Sequence, residues 1–219
     1  MLKKIVAEGF GTFGLVFIGT ATAVLTGNIV ATAIAFGLAF TTMHYIVGPL
    51  SGGHFNPATS LAMWIKKKLE TKDLGLYLIS QVVGAILGSL LLFILLGSNA
   101  QATGMGANQI GAAFAGNSMA IVVALIVEIV LSFVFVLLIL RVQDDEATSS
   151  FRGLIIGLVL TMIVVAGFAF TGASVNPARS LAPAIFAAGE PLKQVWIFIV
   201  APLVGGALAG LMSIFLEKE

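Results

Sequence analysis

Two copies of the tripeptide Asn-Pro-Ala are the residues of this sequence best suited to bind a small polar molecule. Asparagine is a favoured N-cap and proline a favoured first helical residue, so each tripeptide predicts the start of a short helix. The asparagine amides can donate hydrogen bonds to a solute, and the positive ends of two helix dipoles would meet there. The residues of the two motifs are Asn56, Pro57, Ala58, Asn176, Pro177 and Ala178.

The segments before the two motifs contain glycine and predict irregular backbone with free carbonyl groups. These carbonyls can form a row of hydrogen-bond acceptors on either side of the asparagines. Donors in the middle and acceptors on the flanks describe a polar path for a small molecule. The residues expected to supply these carbonyls are Gly52, Gly53, His54, Phe55, Gly172 and Ser174.

Arg179 directly follows the second motif. It is the only charged residue within the two short apolar segments that contain the motifs, 51–65 and 171–188. A charge at membrane depth is costly and usually functional. Because this charge adds to the two helix dipoles, a cation drawn by the carbonyls would be repelled, and the site suits small neutral molecules. The alternative is that the arginine side chain extends to the outer surface.

The composition is that of an integral membrane protein. Of 219 residues, 59% are hydrophobic and only 10% are charged, against roughly 25% charged in a soluble domain. The net charge is +1 and the basic residues are scattered, which argues against nucleic-acid binding. With no cysteine, disulfides, thiolate metal sites and cysteine catalysis are excluded.

Charge-free apolar stretches predict six membrane-spanning helices of about 20 residues or more. Their expected positions are about 5–26, 29–50, 74–97, 118–140, 152–170 and 195–216. Two further apolar segments, 51–65 and 171–188, are too short to cross. They predict re-entrant half-helices at about 57–66 and 177–187.

The distribution of Lys and Arg predicts the orientation in the membrane. With both termini in the cytoplasm, nine basic residues lie inside and only Lys193 lies in an outer loop, a strong positive-inside bias. We therefore expect a multi-pass protein of the plasma membrane with both termini cytoplasmic. The nine residues are Lys3, Lys4, Lys66, Lys67, Lys68, Lys72, Arg141, Arg152 and Lys218.

The chain aligns with itself at an offset of 120 residues. Glu8 then matches Glu128, and the first Asn-Pro-Ala matches the second. Each half, about 1–117 and 118–219, has three spans, so the second half must be inverted relative to the first. The two half-helices can then enter from opposite sides and meet, and the whole chain, 1–219, is expected to form a single channel domain.

Over nearly its whole length the sequence resembles the aquaporin (major intrinsic protein) family. The resemblance is carried by the six spans, the repeat, the two glutamates, Ser-Gly-Gly-His-Phe-Asn-Pro-Ala at 51–58 and Ser-Val-Asn-Pro-Ala-Arg-Ser at 174–180. It implies an all-α hourglass fold, a homotetramer in the lipid bilayer with one pore per subunit, and passive conduction of water or small neutral solutes. No cofactor or metal is expected.

The resemblance also implies a selectivity filter at the outer constriction, made of Phe36, Val164, Ala173 and Arg179. Water-specific members commonly have His where this chain has Val164, and glycerol facilitators have Gly there with an aromatic residue in the loop. The combination here is similar to the archaeal aquaporin branch, which predicts water conduction with slower passage of glycerol. The alternative for Phe36 and Val164 is that they face lipid or pack in the interior.

The glutamates of the two halves are expected to be buried at equivalent points. The family resemblance implies that Glu8 and Glu128 accept hydrogen bonds from the re-entrant backbone and hold it in place. As alternatives, they could be proton or cation sites of a secondary transporter, which can share the inverted-repeat architecture. An intramembrane enzyme is not supported, since no nucleophile–base pair or metal motif occurs. A purely structural role is a further alternative.

Overall fold

The computed structural model describes residues 1–114 and 116–217, which fold almost entirely into helices. Lys218, one of the expected cytoplasmic lysines, lies outside the described residues. The helices, in chain order, are α1 Leu2–Thr26, α2 Ile29–Ser51, α3 Pro57–Ile65, α4 Thr71–Leu96, α5 Ala120–Asp144, α6 Arg152–Thr171, α7 Pro177–Ala187 and α8 Gly189–Leu216. Short 3-10 turns occur at 97–106, 112–114 and 146–151.

Six of these helices, α1, α2, α4, α5, α6 and α8, are long and apolar enough to cross a membrane. This confirms the six predicted spans and the all-α fold. The remaining helices, α3 and α7, have 9 and 11 residues. At about 1.5 Å per residue they are too short to cross a hydrocarbon core of about 30 Å.

Two helix ends differ from the predicted ones by four residues or more. α8 begins at Gly189, six residues before the predicted start at 195, so Lys193 belongs to the helix and not to a loop. It pairs with Glu190 at 2.7 Å on the same helix. A helix tolerates proline in its first turn, and charged residues are common where a membrane helix emerges from the hydrocarbon core. For the same reason α5 continues past Arg141 to Asp144.

Lys66, the first residue of the lysine-rich segment 66–72, is buried within the protein. Its side chain is only 1% exposed and forms ion pairs with Asp144 and Glu217. Its Nζ also donates to Ser213 Oγ at 2.8 Å. Lys66 therefore ties the end of the half-helix α3 to the ends of α5 and α8.

The spans pack closely where glycine faces a neighbouring backbone. A Cβ at Gly84 of α4 would lie 2.0 Å from the carbonyl oxygen of Gly9 in α1. In the other half, a Cβ at Gly205 of α8 would lie 2.5 Å from the carbonyl oxygen of Ile129 in α5. Any larger residue would force these helix pairs apart, and the half-helices between them would lose their support.

Candidate functional site

The two half-helices meet at their first residues through crossed hydrogen bonds. Asn56 Nδ2 donates to the carbonyl oxygen of Val175 at 2.7 Å, and Asn176 Nδ2 donates to that of Phe55 at 2.8 Å. Each asparagine also caps its own helix, since its Oδ1 accepts from the backbone N–H of Ala58 or Ala178. An amide has two N–H groups, so each asparagine retains one donor for a solute.

The loops before the half-helices contain residues in the left-handed backbone region that are not glycine. Phe55 has φ 50°, Ala173 φ 48° and Val175 φ 45°. Such conformations cost of order 1–3 kcal/mol each and persist only where the surroundings impose them. They are concentrated at the point where the two half-helices meet, as expected of a functional site.

Glu8 imposes the conformation of the first loop. Its two carboxylate oxygens accept hydrogen bonds from the N–H groups of His54 at 2.9 Å and Phe55 at 2.7 Å, and from Ser51 Oγ at 2.7 Å. Gln81 Nε2 donates a fourth bond at 2.7 Å. The carboxylate is fully buried, and these donors are what makes its burial tolerable.

Glu128 holds the second loop with fewer donors. It accepts from the N–H groups of Ser174 at 2.8 Å and Val175 at 3.0 Å. Pro202 stands where the repeat would place a counterpart of Gln81, so the second half lacks that side-chain donor. The repeat is therefore symmetric in its backbone contacts and asymmetric in its side chains.

A narrow cavity with room for about one water molecule lies next to the two asparagines and is lined by all four predicted filter residues. Phe36 is 3% exposed and Val164 2% exposed, so neither faces lipid. Eight of the lining residues are apolar and four are polar, a narrow polar strip in an apolar wall. The lining residues are Leu15, Phe36, Phe40, Asn56, Phe135, Leu160, Val164, Ala173, Ser174, Val175, Asn176 and Arg179.

The residues expected to supply carbonyls are divided between this cavity and a second one. Ser174 lines the first cavity, whereas Gly52 lines a cavity of about 310 Å³ near the ends of α2 and α5. Two of the expected carbonyls already accept hydrogen bonds from side chains, that of Phe55 from Asn176 and that of Gly52 from Gln143. Within the described part of the chain, Gly53, His54, Phe55 and Gly172 are not among the residues lining either cavity.

His54 contributes its backbone N–H to the loop, while its ring is bound elsewhere. Ring atom Nδ1 lies 3.0 Å from Ser60 Oγ, and the ring packs against Tyr77 with centroids 5.2 Å apart. In residues 1–114 and 116–217, no group of three His, Asp or Glu side chains could hold a metal ion.

Arg179 lies inside the protein, with only 5% of its surface exposed, and does not extend to the outer surface. Its guanidinium carbon lies 4.8 Å from the centroid of the Phe36 ring, in a cation–π contact. Its Nη1 donates to the carbonyl oxygen of Gly106 at 3.1 Å and to Asn108 Oδ1.

Asn108 is the site residue that the sequence did not reveal. It lies in the loop between α4 and α5 and contacts Arg179, Ser180 and Thr171. A single asparagine in a Gly- and Ala-rich loop carries no local signal of burial. Only its 1% exposure in the folded chain distinguishes it from its neighbours.

Comparison with known proteins identifies the family of the chain. The family model described as major intrinsic protein matches residues 1–213. The chain is 40% identical to a glycerol uptake facilitator protein-like 6 of Lactiplantibacillus plantarum, over all of both chains. It is 38% identical to aquaporin Z of Photorhabdus laumondii over all of both chains, and 38% identical to aquaporin Z of Brucella melitensis over 97% and 96% of the two chains.

Among solved structures, the fold matches the aquaglyceroporin of Plasmodium falciparum with a TM-score of 0.86, over 100% of this chain and 99% of that one. At 21% identity this likeness concerns the fold alone. None of these comparisons tests the similarity of the four filter residues to the archaeal branch, which stays a prediction. The match of the family model over nearly the whole chain and the relatives of about 40% identity establish that this membrane protein belongs to the major intrinsic protein family.

Proposed function

We propose that the protein is a passive transmembrane channel for water that also admits small neutral solutes such as glycerol. The observation that carries the proposal is the cavity shared by Asn56, Asn176 and Arg179, in which a few polar groups interrupt an apolar wall. The names of the relatives support both solutes, since two are aquaporins and one is a glycerol facilitator-like protein.

Water would cross the site by exchanging hydrogen bonds with fixed protein groups. The free N–H of each asparagine amide can donate to a water oxygen, and so can the guanidinium N–H groups of Arg179 that face the cavity. Val164 and Ala173 offer no hydrogen bond, so they bind passing molecules weakly and let them leave. Fixed donors on one side and apolar groups on the other suit rapid transfer of single molecules.

Ions and protons would be excluded by the same groups. Arg179 is positively charged, and the N-termini of α3 and α7 add the positive ends of two helix dipoles at the asparagines. A water held by two amide donors cannot pass a proton to its neighbour along an unbroken chain of hydrogen bonds. Electrostatic repulsion and a broken proton wire therefore act together.

We propose further that the channel is a homotetramer in the plasma membrane, with one pore in each subunit and both termini in the cytoplasm. The excess of Lys and Arg in the loops assigned to the inside supports the orientation. The outward-facing surfaces of the spans are apolar, as contact with lipid or with another subunit requires; examples are Leu25, Ile94, Leu158 and Leu211.

The alternative, a secondary transporter, has no specific observation in its favour. Ion coupling requires ionisable groups that are free to bind and release a cation or proton. Glu8 and Glu128 are instead committed to the N–H groups of the re-entrant loops. We therefore assign them a supporting role and not a transport role.

Stopped-flow light scattering of proteoliposomes would test the proposal. A step in an impermeant osmolyte measures water permeability, and a step in glycerol measures solute permeability. A channel gives fluxes that rise linearly with the gradient, well above those of protein-free liposomes. A flux that saturates, or that counter-flow accelerates, would identify a carrier and contradict the proposal.

A further inference from the structure

The aromatic ring of Phe36 lies flat against the backbone of α1 at Gly19. A Cβ at residue 19 would lie 2.2 Å from Cε1 of that ring and 2.4 Å from both Cδ1 and Cζ. An edge-on ring would place the two outer carbons much farther away than the middle one, so the ring turns its face to the helix. The ring therefore fills the space in which any other residue at position 19 would place its side chain.

Gly19 is on the face of α1 that borders the cavity. Leu15 lines the cavity and precedes Gly19 by four residues, a spacing that places two residues on the same face of a helix. Among the described residues that line the cavity, Phe36 is present and Gly19 is not, because the ring covers the glycine. At this level α1 therefore acts on the cavity through the side chain of Phe36.

The helix α1 has no space behind it into which it could withdraw from the ring. A Cβ at Gly88 of α4 would lie 2.8 Å from the carbonyl oxygen of Phe13, and a Cβ at Gly106 would lie 3.1 Å from Cβ of Thr20. Non-bonded carbons are comfortable at about 3.5–4.0 Å. A methyl group at residue 19 would therefore have to displace the Phe36 ring, by roughly 1 Å.

The space open to a displaced ring is the cavity itself. Phe36 is only 3% exposed and belongs to the main hydrophobic core, where side chains are close-packed. The cavity beside the ring has room for about one water molecule. Movement of the ring into so small a space narrows the constriction.

We propose that Gly19 is a specificity-determining residue, which keeps the filter wide enough for glycerol by letting the Phe36 ring lie against the backbone of α1. This inference rests on the channel function proposed above. Gly19 touches no solute and acts only through the position of the ring. A larger residue at position 19 shifts selectivity towards water, because glycerol is the larger of the two solutes.

Four variants of the full chain test this role in a double-mutant cycle with a control. Gly19→Ala should lower the glycerol-to-water permeability ratio roughly threefold or more. Phe36→Ala removes the ring and should raise the ratio. The three atoms nearest to a Cβ at residue 19 all belong to this ring, so Gly19→Ala should change the ratio of Phe36→Ala by less than about a factor of two.

Gly75→Ala is the matched control for a glycine-to-alanine change in a spanning helix. A Cβ at Gly75 of α4 would meet no atom within 4 Å, so this variant should have the wild-type ratio. Stopped-flow light scattering of proteoliposomes measures both permeabilities, with an impermeant osmolyte for water and a glycerol gradient for the solute. Size-exclusion elution and the melting temperature in detergent report whether each variant is folded.

The outcomes separate this inference from the proposed function. If the wild type conducts no water, the channel function itself fails. If the wild type conducts and Gly19→Ala keeps its ratio, or lowers the ratio equally with and without the Phe36 ring, the role of Gly19 is overturned. Should Gly19→Ala not fold, the double variant must fold with the ratio of Phe36→Ala; a double variant that is also unfolded, or that has a lower ratio, overturns the role.

Discussion

The guanidinium carbon of Arg179 lies 4.8 Å from the centre of the Phe36 ring, and both residues line the cavity together with Leu160 and Val164 of α6. The two residues are 143 positions apart in the chain, one in a full span and the other in the first turn of a half-helix. Their contact makes one edge of the constriction both aromatic and charged. The predictions below follow from this arrangement and from the contacts that support it.

Removal of the charge of Arg179 should weaken exclusion of protons more than it changes water flux. In Arg179→Val the electrostatic barrier falls to the contribution of the two helix dipoles. We expect proton conductance to increase roughly tenfold while water permeability stays within about a factor of three. A pH-sensitive dye trapped in proteoliposomes measures the first quantity, and light scattering measures the second. A variant with wild-type proton conductance would contradict the electrostatic role.

A histidine in place of Val164 should make the channel more selective for water. The imidazole is larger than the isopropyl group and adds a hydrogen-bonding atom to an apolar part of the wall. We expect the glycerol-to-water permeability ratio of Val164→His to fall roughly threefold or more. Val165→His is a control, because Val165 is exposed on the outer face of the same helix. Equal ratios in the wild type and Val164→His would remove residue 164 from the filter.

Mercurial salts should leave water flux unchanged. Mercury(II) blocks a pore by binding a cysteine thiolate, and this chain contains no cysteine. Light scattering of proteoliposomes before and after mercury treatment measures the water flux, and a cysteine variant serves as the positive control. Introducing a thiol at the constriction, as in Ala173→Cys, should confer inhibition that a reducing thiol reverses. Reversible inhibition of the unmodified protein would be evidence against the prediction.

The two buried glutamates should contribute unequally to stability. Glu8→Ala removes the acceptor of the N–H groups of His54 and Phe55 and of the Ser51 hydroxyl. It also removes one of the two acceptors of the Gln81 amide, which keeps its bond to Ser60 Oγ. Glu128→Ala affects two N–H groups. Each unpaired buried donor costs about 1–3 kcal/mol. Glu8→Ala should therefore lower the melting temperature in detergent more than Glu128→Ala does. The opposite order would show that hydrogen-bond number does not determine the effect.

Lys66 should stabilise the cytoplasmic ends of the helices. Lys66→Ala removes the ion pairs with Asp144 and Glu217 and leaves a buried space, so we expect a loss of about 1–3 kcal/mol. Thermal unfolding in detergent measures this loss of stability. Lys72→Ala is the control, because Lys72 is an exposed lysine of the same segment. Since Asp144 retains Lys68, the loss should be smaller than for an isolated buried pair. Equal melting temperatures for the two variants would refute this role.

The sequence alone was sufficient to predict the six spans and the half-helices. Those features depend on local patterns: an apolar stretch of a given length must span the bilayer, and Asn-Pro at the end of an irregular segment starts a helix. The repeat added the matched positions of Glu8 and Glu128. The family resemblance implied the contact of each with loop N–H groups, which agrees with the need to satisfy every polar group at membrane depth.

The tertiary structure alone decided which side chains meet. Four features were not predicted. They are the start of α8, the burial of Lys66, the hydrogen bond from Gln81 to Glu8, and the hydrogen bond between Arg179 and Asn108. Asn108 and Arg179 are 71 residues apart, and an isolated loop asparagine carries no periodicity that would indicate its partner. Hydropathy and capping act within a few turns of the chain, whereas a hydrogen bond between distant segments exists only after packing has brought its donor and acceptor to within about 3 Å.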